Sequence, residues 1–318
     1  MRAKTAMDNQ SFPDSGEPDF AALFGEMFPL LAAMDPALEG ALRHVLENPG
    51  SLVRPRLVYR MASVYGMNAK ASEQLAAALE YFHTASLLFD DLPCMDDALE
   101  RRNAPCTHLI FGQESAILAA LALVNRAYAL TWQAVSASPQ TTQARALAFL
   151  EQCLGVGGLL NGQSLDLHYS GLPQNRQTTE AIARGKTVSL IRLTLVLPAM
   201  MGGASSRELR CIERVALFWG LSYQIVDDLK DVIETATQSG KTSARDQLLG
   251  RPNLACVLGV EAATLRLVRL LELGDRAMRH LLGHRPGVSF LAQLRAELEL
   301  ELTRVIRHAS LHQAQEVS

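Results

Sequence analysis

Long runs of apolar residues with helical spacing are the feature of this sequence that most constrains its fold. Alanine, leucine, arginine and glutamate dominate these runs, and the alternating apolar and polar residues that predict strands form no convincing run. Two stretches within the predicted helices, 75–88 and 116–130, are apolar on nearly every side, so other helices must surround them. The pattern therefore predicts an all-α fold, a bundle of long helices.

The predicted helices follow one another with short interruptions, which glycine and proline mark and which are too short to be domain linkers. Residues 1–18 are polar and have no apolar core, which predicts a disordered lead. Residues 19–318 are then expected to form a single helical domain. The helices are expected at 19–34, 36–47, 52–66, 71–91, 113–135, 141–170, 176–202, 206–236, 255–283 and 288–312.

Charge, cysteine content and hydropathy narrow the functional classes. The chain has 30 Lys and Arg against 33 Asp and Glu, so it has no basic excess and nucleic-acid binding is not expected. Five widely spaced cysteines without a Cys-x-x-Cys pair favour a reducing cytoplasm. The longest apolar stretches, 116–124 and 193–201, fall short of the roughly 20 residues of a membrane span, so stable membrane insertion is not expected either.

Two clusters of carboxylates interrupt the apolar helices. Side chains of like charge repel one another, so each cluster calls for a cation. Oxygen ligands of this kind suit Mg²⁺, which shares its remaining positions with water and with a substrate's phosphates. The first cluster contains Asp90, Asp91, Asp96 and Asp97, and the second contains Asp227, Asp228 and Asp231, with Gln224 one turn earlier.

Basic residues lie near both clusters in the sequence. Guanidinium and ammonium groups bind phosphate oxygens through charge-assisted hydrogen bonds, so these residues and the clusters together form a candidate diphosphate site. The candidates are Arg54, Arg101, Arg102, Lys186 with Thr187 beside it, and Lys241.

Five ordered blocks of the sequence resemble the trans-isoprenyl diphosphate synthases, the polyprenyl synthetase family. They are most similar to bacterial short-chain geranylgeranyl and farnesyl diphosphate synthases, and the first block carries Asp-Asp-Leu-Pro-Cys-Met-Asp, the longer form of the first aspartate motif. The resemblance extends from about residue 54 to about residue 259. The blocks are 83–97, Arg101-Arg102, 161–167, 185–187 and 224–232.

The resemblance implies a helical bundle around a deep prenyl cavity, with the two aspartate clusters facing each other across its mouth. It implies three Mg²⁺ ions and leaves Asp97 as a bystander. The implied metal ligands are Asp90, Asp91, Asp96, Asp227, Asp228 and Asp231. The residues implied to contact the allylic diphosphate are Arg101, Lys186, Thr187, Gln224 and Lys241. The residues that resemble those of the family's isopentenyl diphosphate pocket are Arg54, His83 and Arg102.

The activity that the resemblance implies is condensation of an allylic prenyl diphosphate with isopentenyl diphosphate. Metal ions and basic groups stabilise the departing diphosphate, and an allylic cation forms in an apolar cavity. Ala85, with Ser86 beside it, occupies the position upstream of the first motif where a large side chain closes the cavity in this family. These small residues favour the C20 product, geranylgeranyl diphosphate.

The sequence departs from the family pattern most clearly in the residues that correspond to the isopentenyl diphosphate pocket. The pattern Gly-Gly-Lys-Arg-x-Arg-Pro corresponds here to Pro49-Gly50-Ser51-Leu52-Val53-Arg54-Pro55, so Ser51 replaces a lysine. This motivates two alternatives: a terpene synthase that ionises and cyclises a prenyl diphosphate without isopentenyl diphosphate, and a non-catalytic regulatory subunit of a synthase.

Some residues fit two interpretations. His83 fits a ligand of the isopentenyl pocket or a hydrogen-bonded core histidine, and Gln163 and Asp166 fit a cavity lining or a buried pair that braces a helix. The apolar helical faces exceed the need of one bundle, which, with the family's usual arrangement, predicts a homodimer.

Overall fold

The structure is a computed structural model that describes residues 17–30, 34–238 and 250–316, without the side chains of 234–238 and 305–316. The helices of its first half are α1 Phe20–Glu26, α2 Pro36–Glu47, α3 Val53–Val64, α4 Ala69–Asp90, α5 Thr107–Phe111, α6 Gln113–Ser136 and α7 Gln140–Leu154. Those of its second half are α8 Leu159–Leu167, α9 Arg176–Ala183, α10 Ser189–Met201, α11 Ser206–Gln238, α12 Leu254–Leu258, α13 Val260–Leu282 and α14 Leu291–Glu316.

Two compact units make up the fold, and the first contains the residues up to Leu147 together with Pro198–Gly203. Helix α4 lies at its centre and packs against α1, α3 and α6. Alanines such as Ala76 on α4 and Ala119 on α6 are fully buried, because small side chains let helices approach closely. A core of this kind needs few aromatic residues, which are only 6% of the sequence.

The second unit contains Ala148–Leu197 and the chain from Ala204 onward. Its central helix is α11, which packs against α12, α13 and α14. A π-helical turn, Arg184–Val188, joins α9 to α10 and packs against α8, α9 and α11. The motifs of this unit therefore lie on elements that contact one another.

Two glycines let α8 approach the π-helical turn more closely than any other residue would allow. A Cβ atom on Gly162 would lie 2.4 Å from the backbone nitrogen of Lys186, and one on Gly185 would lie 2.7 Å from the Cα of Gly162. Such distances are far inside van der Waals contact. The glycines of the 161–167 and 185–187 blocks thus bring two main chains together.

A short hairpin follows the first carboxylate cluster. Its strands, β1 Glu100–Arg101 and β2 Ala104–Pro105, pair antiparallel. The two residues between them, Arg102 and Asn103, have φ angles of 56° and 64°, as a two-residue hairpin turn of type I′ requires. Asparagine tolerates this left-handed conformation better than most residues, so Asn103 suits the second position of the turn.

The structure confirms the all-α prediction and corrects several boundaries. The helix expected at 141–170 is two helices, because the chain breaks at Gly155–Gly158, and the helix expected at 176–202 contains the π-helical turn. The short helix α5 was not predicted, because five residues are too few for a periodic pattern. The helix expected at 255–283 is two helices, α12 and α13, which meet at Gly259.

The remaining expectations concern the N-terminal lead, the single domain and membrane insertion. Of the lead expected at 1–18, the structure describes Glu17 and Pro18, and the Glu17 carboxylate pairs with Arg60. The single domain over 19–318 remains a prediction. Within the described chain, α6 is the one helix with the length and apolar character to cross a membrane, a property that buried helices of globular cores share.

Candidate functional site

The first carboxylate cluster lies where α4 ends. The chain turns back on the helix end, so that the backbone N–H of Asp96 donates to the carbonyl of Asp90 at 2.9 Å. This return places Asp96 beside Asp90 in space and accounts for the long spacing of the motif. Asp90 and Asp96 are half-buried, whereas Asp97 is exposed.

Asp91 differs from Asp90, its neighbour in the sequence. It is only 3% exposed, and its Oδ1 accepts a hydrogen bond from the Nε of Arg101 at 2.9 Å. Burial alone would lower the pKa of Arg101, but the hydrogen bond and charge of Asp91 outweigh burial and raise it. Asp91 therefore holds a charged guanidinium group beside the cluster.

Arg102 is held in the same way by a different acid. Its guanidinium donates to the Glu80 carboxylate at 3.3 Å and to the Asn48 carbonyl at 3.0 Å. Its side chain also lies against Gly50, where a Cβ atom would be 2.4 Å from the arginine Nε. Burial raises the pKa of Glu80, and the charges of Arg102 and Arg54 act in the opposite direction.

His83 lies among these arginines. Its Nδ1 atom is buried and has no hydrogen-bond partner within the described chain. Burial, followed by the charges of Arg54, Arg102 and Arg101, holds its pKa well below the ordinary range, so the ring is neutral at pH 7. The structure thus brings together the residues predicted for the isopentenyl pocket. Among them is a buried imidazole nitrogen to which no group of the described chain is hydrogen-bonded.

In the second unit, a hydrogen-bond network connects the second carboxylate cluster to two other elements. The Thr187 hydroxyl lies 2.6 Å from the Gln224 amide oxygen, and the Gln224 amide nitrogen donates to the Asp228 Oδ1 at 2.9 Å. The backbone N–H of Leu254 donates to the other oxygen of Asp228 at 2.8 Å. Asp228 therefore fixes the start of α12 relative to α11.

Asp227 and Asp231 differ from Asp228 in exposure. Asp228 is 2% exposed, whereas Asp227 is exposed and Asp231 is half-buried. Lys230, between them, forms an ion pair with Glu301 of α14. In both pairs, Asp90-Asp91 and Asp227-Asp228, the first aspartate is accessible. The second is buried and accepts hydrogen bonds from neighbouring elements.

Lys186, next to Thr187 in the second unit, has a buried acid as its partner. Its Nζ lies 2.9 Å from the Asp166 Oδ2, and an Arg251 nitrogen lies 3.6 Å from the same oxygen. Asp166 is 6% exposed, so burial favours keeping a cation next to it. Two cations and one carboxylate leave a net positive charge, which suits a phosphate group.

The donor chemistry of these clusters fits Mg²⁺. Within the described residues, no three carboxylate, imidazole or thiol groups converge on one point. That arrangement still suits magnesium, which one or two carboxylates hold together with water and phosphate oxygens. The aspartates available for this are Asp90, Asp96, Asp227 and Asp231; metal ligation by Asp91 and Asp228 remains a prediction.

The remaining predicted residues have the following positions. Ala85 is 1% exposed, and Ser86 is half-buried with its hydroxyl donating to the His83 carbonyl at 2.7 Å. Lys241 lies outside the described residues. Sequence reasoning missed Glu80, the partner of Arg102, and Arg251, the second cation near Asp166. Glu80 is the one acid in the apolar run 75–88, which was a usable signal for it.

The neighbouring aspartates of the second cluster allow a matched test. Asp228→Asn places an amide NH₂ against one of the two N–H donors, so we expect it to lower the free energy of unfolding by about 1–3 kcal/mol. Asp227→Asn, at an exposed position, should change it by less than about 0.5 kcal/mol. Urea unfolding of both variants measures the difference, and equal stability of the two would contradict the network around Asp228.

Comparison with known proteins places these features in a family. The sequence matches the Polyprenyl synthetase family over residues 35–278. It is 35% identical to geranylgeranyl pyrophosphate synthase 4 of Arabidopsis thaliana over 239 residues, which are 74% of this chain and 63% of that protein. It is 34% identical to the heterodimeric geranylgeranyl pyrophosphate synthase large subunit 2 of the same plant, over 76% of this chain and 64% of that protein. The chain thus spans less than two thirds of the length of these relatives.

Comparison with solved structures gives the same fold. A geranyltransferase from Helicobacter pylori, crystallised with magnesium and isoprenyl diphosphate, matches with a TM-score of 0.72 at 25% identity, over 91% of this chain and 94% of that chain. Other relatives from A. thaliana are named as chloroplastic and mitochondrial enzymes. The match over most of the chain confirms the predicted fold. The chain belongs to the polyprenyl synthetase family.

Proposed function

We propose that this protein is a Mg²⁺-dependent prenyltransferase that joins an allylic prenyl diphosphate to isopentenyl diphosphate. The observation that carries the proposal recurs in both units: a buried acid holds a cation, beside Asp90 in the first unit and on a turn that packs against α11, the helix of Asp227, in the second. Asp91 holds Arg101, and Asp166 holds Lys186. Groups arranged in advance in this way stabilise charge that develops on a leaving group without the cost of reorganisation.

Each group has a role in ionising the allylic diphosphate. Arg101 of the first unit and Lys186 and Arg251 of the second would donate hydrogen bonds to phosphate oxygens. Asp90 and Asp96 of the first unit and Asp227 and Asp231 of the second would hold Mg²⁺. Bound Mg²⁺ supplies positive charge that neutralises the departing diphosphate. We infer three ions from the resemblance of the two aspartate motifs to those of the family. No protein nucleophile is required, because the double bond of isopentenyl diphosphate attacks the cation.

The C20 product, geranylgeranyl diphosphate, is the product we propose. Ala85 is buried in α4, where its small side chain leaves room for a longer prenyl chain than a large residue would. The names of the similar A. thaliana proteins support the same product.

A second candidate function rests on residues 51 and 52. Ser51 and Leu52 stand where the family pattern has lysine and arginine, so two positive charges are replaced. Leu52 is 6% exposed and adopts φ 54°, a left-handed conformation that is costly for a residue with a branched side chain. If this loop does not bind isopentenyl diphosphate, ionisation of a single diphosphate remains, and the protein is a terpene synthase.

Dependence on isopentenyl diphosphate decides between the two functions. We expect purified protein with Mg²⁺ and farnesyl diphosphate to form a C20 diphosphate only when isopentenyl diphosphate is added. Ser51→Lys should lower the KM for isopentenyl diphosphate about tenfold or more, because it adds a charge-assisted contact of roughly 1.5–3 kcal/mol. Product analysis by mass spectrometry and initial rates provide the measurements.

Ser51→Met is the matched control, since it adds length without charge and should leave the KM near that of the wild type. A hydrocarbon or alcohol formed from farnesyl or geranylgeranyl diphosphate alone would contradict the elongation proposal and favour the terpene synthase. No turnover under any of these conditions would contradict both.

We further propose that the protein is a homodimer. Large apolar side chains are exposed along α6, which needs a partner surface to remove them from water. They are Ile117, Leu118, Leu121, Tyr128 and Trp132, at 38–55% exposure. We expect a dimer in sedimentation equilibrium at micromolar concentration, and dissociation in Leu118→Glu; a monomeric wild type would rule the proposal out.

We also propose a cytoplasmic location. All five cysteines are free thiols, and Cys94 and Cys256 are exposed, which a reducing compartment preserves. Cell fractionation checks this, and recovery in an organelle, as for the plant relatives with organellar names, would contradict it.

A further inference from the structure

The second unit contains an open pocket of about 410 Å³ that the proposed reaction does not use. Its walls come from the start of α8, the π-helical turn and α10, and the first half of α11. The residues that line it do not include Asp166, Lys186, Thr187 or Gln224. A volume of this size lies in the range of small-molecule sites, roughly 300–1,000 Å³.

The charged residues of this pocket have an excess of positive charge. Its lining contains Arg184, Arg192 and Arg214 but a single acid, Glu213. The Arg192 guanidinium binds both oxygens of Glu213, at 2.7 and 2.9 Å, and lies over the ring of Phe149 at 4.9 Å from the centroid. Arg192 and Glu213 therefore neutralise each other.

Arg184 and Arg214 account for the remaining charge. Both are exposed, and in the described part of the chain neither has a carboxylate within ion-pair distance. Their two positive charges match a phosphate monoester, which carries a charge of about −1.5 to −2 at pH 7, better than a single carboxylate. Guanidinium groups also fit phosphate oxygens in bidentate geometry.

The rest of the lining is apolar or consists of glycine. Leu165 and Leu217, both half-buried, contribute apolar surface, and several glycines add main chain to the lining. The pocket is much larger than one phosphate group. A ligand that fills it therefore has a phosphate group and a short hydrocarbon portion.

We propose that this pocket is a second binding site, separate from the reaction centre, for a small phosphate monoester with a short apolar chain. The site binds the phosphate with Arg184 and Arg214 and the apolar chain against Leu165 and Leu217. It requires no Mg²⁺, because its one acid is already paired.

Calorimetric titration in EDTA tests the proposal with two probes, n-pentyl phosphate and inorganic phosphate. We expect n-pentyl phosphate to bind the wild type at least tenfold more tightly than inorganic phosphate, because burial of several CH₂ groups favours it. The double variant Arg184→Ala, Arg214→Ala should bind n-pentyl phosphate at least tenfold more weakly. Arg210→Ala, an exposed arginine one turn before Arg214 on α11 and outside the pocket, is the control and should bind as the wild type does.

A Lys186→Ala variant separates this site from the reaction centre. If n-pentyl phosphate binding falls in Lys186→Ala and persists in the double arginine variant, the ligand occupies the reaction centre and the proposal is wrong. Absence of binding to the wild type at millimolar concentration would also overturn it. Equal affinity for the two probes would overturn the assignment of the apolar wall. Prenyl transfer by the wild type with Mg²⁺ tests the proposed reaction separately, so failure of the reaction and failure of this site are distinguishable.

Discussion

The approach of two main chains at Gly162 and Gly185 is the constraint on which the second unit's chemistry depends. Because neither residue has a Cβ atom, α8 lies directly against the π-helical turn that carries Lys186. That contact places the Lys186 ammonium on Asp166, at 2.9 Å. Any larger side chain at these positions would push apart the two elements that supply the ion pair.

The two Asp-Asp pairs share a division of roles that explains why aspartates occur in adjacent positions. On a helix or at its end, neighbouring residues point in different directions, so one of each pair is turned inward. Asp91 and Asp228 are buried and hold Arg101 and the start of α12, while Asp90 and Asp227 remain accessible. Accessible carboxylates can bind metal, and buried ones keep the surrounding cations and helices in place. Substitution of a buried member thus acts first on structure.

Sequence reasoning predicted the all-α class, the two carboxylate clusters and most of the cations, because these depend on composition and short-range spacing. It could not decide which aspartate of each pair is buried, since that depends on how α4 and α11 pack in three dimensions. It also left Asp166 between two interpretations, and the structure shows a buried carboxylate that pairs with Lys186. It did not single out Arg251, because the contact of Arg251 with Asp166 spans 85 residues of sequence.

Binding of an unreactive allylic diphosphate, with sulfur in place of the bridging oxygen, would show whether the Lys186 anchor serves the diphosphate. With Mg²⁺ present, calorimetry should show tight binding to the wild type and at least tenfold weaker binding to Lys186→Ala and Gly162→Ala. Gly171→Ala, where an added Cβ meets open space, should bind as the wild type does. If Lys186→Ala and Gly162→Ala bind the analogue as tightly as Gly171→Ala, the diphosphate does not rely on this anchor.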